Sequence, residues 1–128
     1  MTDFCLKFTD QATFEYLSRA IYQQMTGTVL GEADPTPRQG RSLTGTEWFV
    51  DEIGLIYEPT EATETDPFGN ERPVMAARDG WHANLRWNGG DDPPPDNIPG
   101  MEVVWRSDAR DENDAPIPRP AWWNRVIA

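Results

Sequence analysis

The chain has 128 residues, enough for one domain spanning 1–128 that removes roughly two thirds of its unfolded surface from water. Its net charge of -11 and pI near 4.3 exclude a phosphate backbone as a natural partner, because the field repels what counterion release would otherwise reward. One cysteine, Cys5, excludes an intrachain disulfide framework, and 38% hydrophobic residues with 12 prolines and 10 glycines imply a small aromatic core with much loop.

Phe4-Cys5-Leu6-Lys7-Phe8 predicts a first strand with Phe4, Leu6 and Phe8 inward and Cys5 as a buried, inert thiol. Thr9 or Asp10 offers an N-cap oxygen. From Gln11 to Met25, Phe14, Leu17, Ile21 and Met25 recur at three- and four-residue steps, with Tyr22 widening the stripe, which predicts an amphipathic helix. Gly27 is its terminator. Residues 26–46 turn to Gly, Pro, Thr and Arg, and Asp34-Pro35-Thr36-Pro37 can neither continue a helix nor pair centrally in a sheet. A loop of that length in so small a domain is unusual and commonly functional.

Glu47 to Tyr57 predicts a second strand in which Ile53, Leu55 and Tyr57 alternate with Glu52, Gly54 and Ile56, with Gly54 marking a bulge or a close backbone approach. Glu58-Pro59-Thr60 is expected to end it. Residues 59–73 read as an acidic hairpin tip around Asp66-Pro67-Phe68-Gly69-Asn70. Pro73 to Ala77 begins a return strand, broken at Asp79-Gly80 and resumed at Trp81–Trp87. There Trp81, Ala83, Leu85 and Trp87 share one side, and His82, Asn84 and Arg86 the other, the pattern of one buried and one polar face. The segment 88–100 is a Pro-rich breaker, Met101–Arg106 a short strand, 107–120 a polar Pro-rich connection, and Ala121–Ala128 a terminal strand. The expected architecture is α+β: one amphipathic helix packed on an antiparallel sheet of four to five strands, in the order β-α-β-β-β-β, with long Pro/Gly-rich loops.

His82 and Cys5 stand alone, without the clustered ligands a metal needs. Asp108, Asp111, Glu112 and Asp114 lack the glycine and terminal glutamate spacing of a calcium loop, so a solvated acidic loop is the expectation. No nucleophile-elbow pattern surrounds Ser18, Ser42 or Ser107. The expectation is therefore no catalytic residue, no cofactor and no metal. With no apolar run near ~18 residues and no leader pattern, the chain is expected to be made in the cytoplasm and not to span a membrane.

Six tryptophans are the stronger hint. Trp81, Trp87 and Trp105 can share one core. Trp122 and Trp123 are adjacent, so in a strand only one of them can enter it, and the other is capped or turned to a partner. Trp and Arg are favoured interface anchors. Trp122, Trp123, Arg125, His82 and Arg86 are the candidate interface residues, with His82 otherwise a surface or cross-strand hydrogen-bonding residue.

Val50-Asp51-Glu52-Ile53-Gly54-Leu55-Ile56-Tyr57-Glu58-Pro59-Thr60 and Gly80-Trp81-His82-Ala83-Asn84-Leu85-Arg86, with Asp3-Phe4-Cys5-Leu6-Lys7-Phe8, resemble segments of short proteins encoded among the tail and baseplate genes of tailed bacteriophages. These segments cover about a fifth of the chain. The resemblance implies a non-enzymatic virion component of the tail tip, baseplate or fibres, partnered by other tail proteins or by copies of itself. It brings no catalytic residues. The runner-up is an acidic phage-encoded inhibitor or nucleic-acid mimic that binds a basic host protein. Third is a carbohydrate-binding module stacking sugars on Trp122 or Trp123, and an enzyme comes last.

Overall fold

Strand β1 (Thr2–Phe8) passes directly into helix α1 (Gln11–Thr26) in the computed structural model, which describes residues 1–123 and 125. Asp10 caps the helix by accepting from the Thr13 N–H at 2.8 Å. Gly27, at φ 73°, ends it with its own N–H on the Gln23 carbonyl, as a left-handed C-terminal glycine does. β2 (Gln39–Arg41), β3 (Glu47–Gly54), β4 (Tyr57–Thr65), β5 (Glu71–Ala77), β6 (Trp81–Asn88) and β7 (Met101–Arg106) follow.

Five of these strands form one sheet in the order β2-β3-β6-β1-β7, and β4 and β5 form a separate two-stranded sheet. Every strand pairing is antiparallel. The α+β class, the single helix and the five-stranded antiparallel sheet are as expected. The order is longer than β-α-β-β-β-β, because β2 lies inside the 26–46 loop and the acidic hairpin is a sheet of its own. β2 has three polar or small residues and no apolar alternation to announce it. It fits there because Gly40 lies against the Trp48 indole: a Cβ at Gly40 would sit 2.4 Å from that ring.

The rest of the long loop is bonded to the helix. The Arg19 guanidinium donates to the Asp34 and Gly31 carbonyls, and the Leu30 N–H donates to Gln23 Oε1 at 2.8 Å. Further along, Asp92 gathers the hydroxyls of Ser42, Thr44 and Thr46, fastening the end of that loop to the Pro-rich 88–100 connection. These bonds hold the Asp92 carboxyl below the usual aspartate range, with the Ser42 hydroxyl contributing most.

One face of the sheet carries Phe4, Leu6, Phe8, Trp48, Ala83, Leu85 and Trp87 and packs under α1 through Phe14. Phe14 meets Phe8 edge to face at 5.1 Å, and Trp48 stacks on Trp87 at 5.9 Å. Full burial of a side chain such as Phe14 contributes about 2–3 kcal/mol.

The opposite face is covered too, and here the reading of β6 as half polar is corrected. His82 and Asn84 are as buried as Ala83 and Leu85. A second cluster of Cys5, Ile56 and Trp123 lies over them, with Trp105 and Trp122 packed against it. Trp105 pairs in register with Cys5 and so belongs to this second cluster, not to the core that holds Trp87.

The expected terminal strand is also revised. Ala121 and Trp122 form a turn, which lets both tryptophans face one way, their rings 5.7 Å apart. Residues 124 and 126–128 of that expected strand lie outside the described residues.

Gly54 marks the bulge that was expected. At φ 84° it shifts the β3–β6 register and swings the chain out of the sheet. Beyond it the alternation changes phase: Ile56 is fully buried, whereas Leu55 and Tyr57 are exposed. The strand does not end at Glu58-Pro59-Thr60. β4 runs through it, because Pro59 lies where the β4–β5 register slips and a two-stranded ribbon tolerates a missing N–H.

Candidate functional site

Two places concentrate unusual side chains. The first is the second face of the sheet, where the expected interface residues Trp122, Trp123 and His82 are brought together and Arg125 lies at the margin. The His82 ring lies 6.0 Å from Trp122 and 5.5 Å from Trp123, both edge to face. The β-bulge at Gly54 turns its carbonyl to His82 Nδ1 at 2.9 Å. A carbonyl only accepts, so Nδ1 carries the proton. Nε2 is then a buried lone pair with no hydrogen-bond partner among the described residues. Burial, joined by the charges of Lys7 and Arg78, pushes the imidazole below its ordinary 6.5, and His82 is neutral at pH 7.

Asn84, next on that face, joins three segments. Its Oδ1 accepts from Trp123 Nε1 at 2.8 Å, and its Nδ2 donates to Asp51 Oδ2 at 3.1 Å and to the Arg125 carbonyl at 3.0 Å. Arg125 returns a two-pronged bond to Asp51, at 2.9 and 2.7 Å. Arg86 is forked onto Asp3 of β1 at 2.8 and 3.0 Å. The intrachain partners of these residues come from distant parts of the sequence, which is why alternation alone placed His82 and Arg86 on an open polar face.

Beside the His82 ring lies a pocket of about 190 Å³ lined by Lys7, Glu58, Arg78, Asp79, Glu102 and Trp122. Its cations are paired: Arg78 with Glu58 at 2.6 Å and Lys7 with Asp79 at 3.5 Å. The Arg78 guanidinium lies 3.8 Å over the Trp122 ring. Among the described residues, neither a serine hydroxyl nor the Cys5 thiol lines this pocket. The Ser42 hydroxyl bonds to Asp92, Ser107 accepts the Asp3 N–H, and Ser18 is on the helix side of the sheet. The Cys5 thiol meets Asn84 Oδ1 at 3.9 Å, and burial raises it to about 11, so it stays protonated at neutral pH.

In the acidic run, Asp108 is forked by Arg106, and Asp111 accepts from the Asn113 and Ala115 N–H groups within its own turn. Among the described residues, no group of three or more His, Cys, Asp or Glu side chains is placed to hold a metal ion. None of their helices is long and apolar enough to cross a membrane.

The second place is the β4–β5 arm, which the sequence reading treated as a tip and not as a surface. The Arg78 N–H donates to the Ile56 carbonyl at 2.7 Å and closes the neck of the arm. Beyond that neck, β4 and β5 contact chiefly each other. At the far end Asp66 accepts from the Phe68 and Asn70 N–H groups and from Arg72, which sets a fixed turn and lowers the Asp66 carboxyl, the Asn70 N–H contributing most. That turn holds Phe68 88% exposed. The period-two order of Tyr57 and Pro59, and of Pro73, Met75 and Ala77, was the available signal.

No protein-family model, curated protein or solved structure matches the chain.

Proposed function

We propose that this protein is a non-enzymatic structural subunit that works through protein–protein contacts in an assembly. The setting that its sequence resemblance implies is the tail tip, baseplate or fibres of a bacteriophage virion. The observation that carries the reading is the β4–β5 arm. An isolated two-stranded ribbon is marginal in water, yet this one extends from the sheet with Tyr57, Phe68 and Met75 exposed. Large exposed apolar residues grouped on one element mark a contact surface more often than a free one. The second face of the sheet supports the same reading from the opposite side. Its imidazole and thiol are buried in packing and hydrogen bonds, in an arrangement that braces a scaffold.

Quantitative mass spectrometry of purified particles of the encoding phage tests this. A fixed stoichiometry per particle is expected. Abundance in infected cells with absence from particles overturns the virion role.

The acidic-inhibitor reading has one observation in its favour: the exposed arm itself carries Glu58, Glu61, Glu64, Asp66 and Glu71 against Arg72 alone. A host protein recovered in stoichiometric complex with the chain, in cells where particles lack it, selects that reading.

A further inference from the structure

The register of the arm sorts its side chains. Tyr57 opposes Ala77, Pro59 opposes Met75, and Thr63 opposes Pro73. Directly opposed residues in an antiparallel pair point to the same side, so Tyr57, Pro59, Pro73, Met75 and Ala77 make one continuous apolar face. All five are exposed among the described residues, Tyr57 at 55% and Met75 at 51%. The reverse side carries Glu58, Glu64 and Arg72, with Glu58 held at the neck by Arg78, and Glu71, opposite Thr65, flanks the apolar side toward the tip. Phe68 is exposed at the tip, in the turn set by Asp66.

An apolar stripe with acidic flanks fits a surface of opposite design. The net charge of the whole chain, -11, opposes a second copy laid against the arm, and it opposes nucleic acid or an anionic membrane equally. We infer that the exposed Tyr57–Met75 face of the β4–β5 arm, with Phe68 at its tip, docks in an apolar groove rimmed by Lys or Arg on another protein. The inference rests on the assembly role proposed above and names the element and the partner chemistry that would carry it. The aromatic and Met side chains supply the anchors, and the carboxylates supply orientation and encounter rate.

The test uses the full chain, labelled with 15N, and a synthetic peptide of alternating lysine and leucine as the probe. Amide shift changes are expected to concentrate in residues 57–77. Tyr57→Ser with Met75→Ser is expected to weaken binding roughly tenfold or more, as truncated anchors do. Glu61→Gln with Glu71→Gln is expected to weaken it and to flatten its salt dependence. A charge-matched control outside the arm, Glu32→Gln with Glu112→Gln, is expected to leave affinity within about twofold, as rim charges remote from a contact do.

Because the arm lies beyond its closed neck, each variant is checked for an unchanged amide spectrum in β1, β3 and β6. Shift changes spread evenly over the acidic loops at 91–97 and 108–114, or equal weakening by the control pair, overturn the inference. The two proposals fail separately. Presence in particles with no response in the arm removes this surface and leaves the structural role. A responding arm on a chain absent from particles keeps the surface and removes the virion setting.

Discussion

Trp123 holds the segment after β7 to the second face of the sheet by a buried indole and by one hydrogen bond to Asn84. Trp123→Ala removes both and opens a cavity over Cys5 and Ile56. It is expected to cost about 3–5 kcal/mol, read as a fall in the urea midpoint. Trp123→Phe keeps most of the volume and leaves Asn84 Oδ1 with the weak Cys5 thiol donor, with an expected cost of about 1–3 kcal/mol.

His82 gives the second residue-scale prediction. Its folded pKa lies below its unfolded value, so between the two the unfolded chain binds more protons. The stability this residue supports is fully present above about pH 7 and is lost as pH falls through 6.5 toward the folded pKa. The urea midpoint should drop between pH 7.5 and 5.5, and His82→Gln, which keeps a donor for the Gly54 carbonyl, should flatten that slope. The carboxylates held low, Asp66, Asp92 and Asp108, titrate below this window and leave it clean. An identical slope in the variant would remove His82 from the account. The sequence showed His82, Asn84 and Arg86 on one side of a strand, and that was right. It could not show what covers them, because Gly54, Trp123 and Asp3 come from other segments and leave no periodic trace in β6.

Among the elements, α1 was legible to within one residue at its C-terminal end, since a cap at Asp10, an apolar stripe and a terminating Gly27 all point to the same boundaries. Gly54 was legible as a bulge or a close backbone approach, and the shifted β3–β6 register makes it the bulge. Its consequence was not legible. By shifting the phase it buries Ile56 and turns β4 out of the sheet, so what reads as one strand running to Tyr57 is a sheet strand, a hinge and an arm. Gly80 is the matching hinge on the return. At φ 96°, its missing Cβ would stand 2.6 Å from the Lys7 side chain and 3.0 Å from the Phe8 carbonyl. The Ile56–Arg78 bond between these hinges predicts that the arm is separable. Replacing residues 57–77 with an Asn-Gly turn is expected to leave the near-ultraviolet tryptophan signal intact and to shift Tm by a few degrees at most. Loss of cooperative unfolding in that variant would show that the arm is part of the core.

At the scale of the whole molecule, a five-stranded sheet is covered on one side by α1 and on the other by the chain after β7. Burial on both sides explains why a chain so rich in charge and proline holds two aromatic clusters. It also leaves the large apolar side chains of the arm, Tyr57, Phe68 and Met75, exposed. Composition gave the acidic field and the aromatic core. The arm surface was not legible, because its apolar residues are sparse, interrupted by prolines, and brought onto one face only by the pairing of β4 with β5.

The measurement that bears most directly on the docking role is hydrogen–deuterium exchange across residues 57–77, in the free chain and in the assembled particle. The account predicts fast exchange in the free arm beside protected amides in β1 and β6, and strong protection of the arm after assembly. An arm that exchanges equally fast in both states, while protection appears instead along the β2 or β7 edge of the sheet, would contradict it.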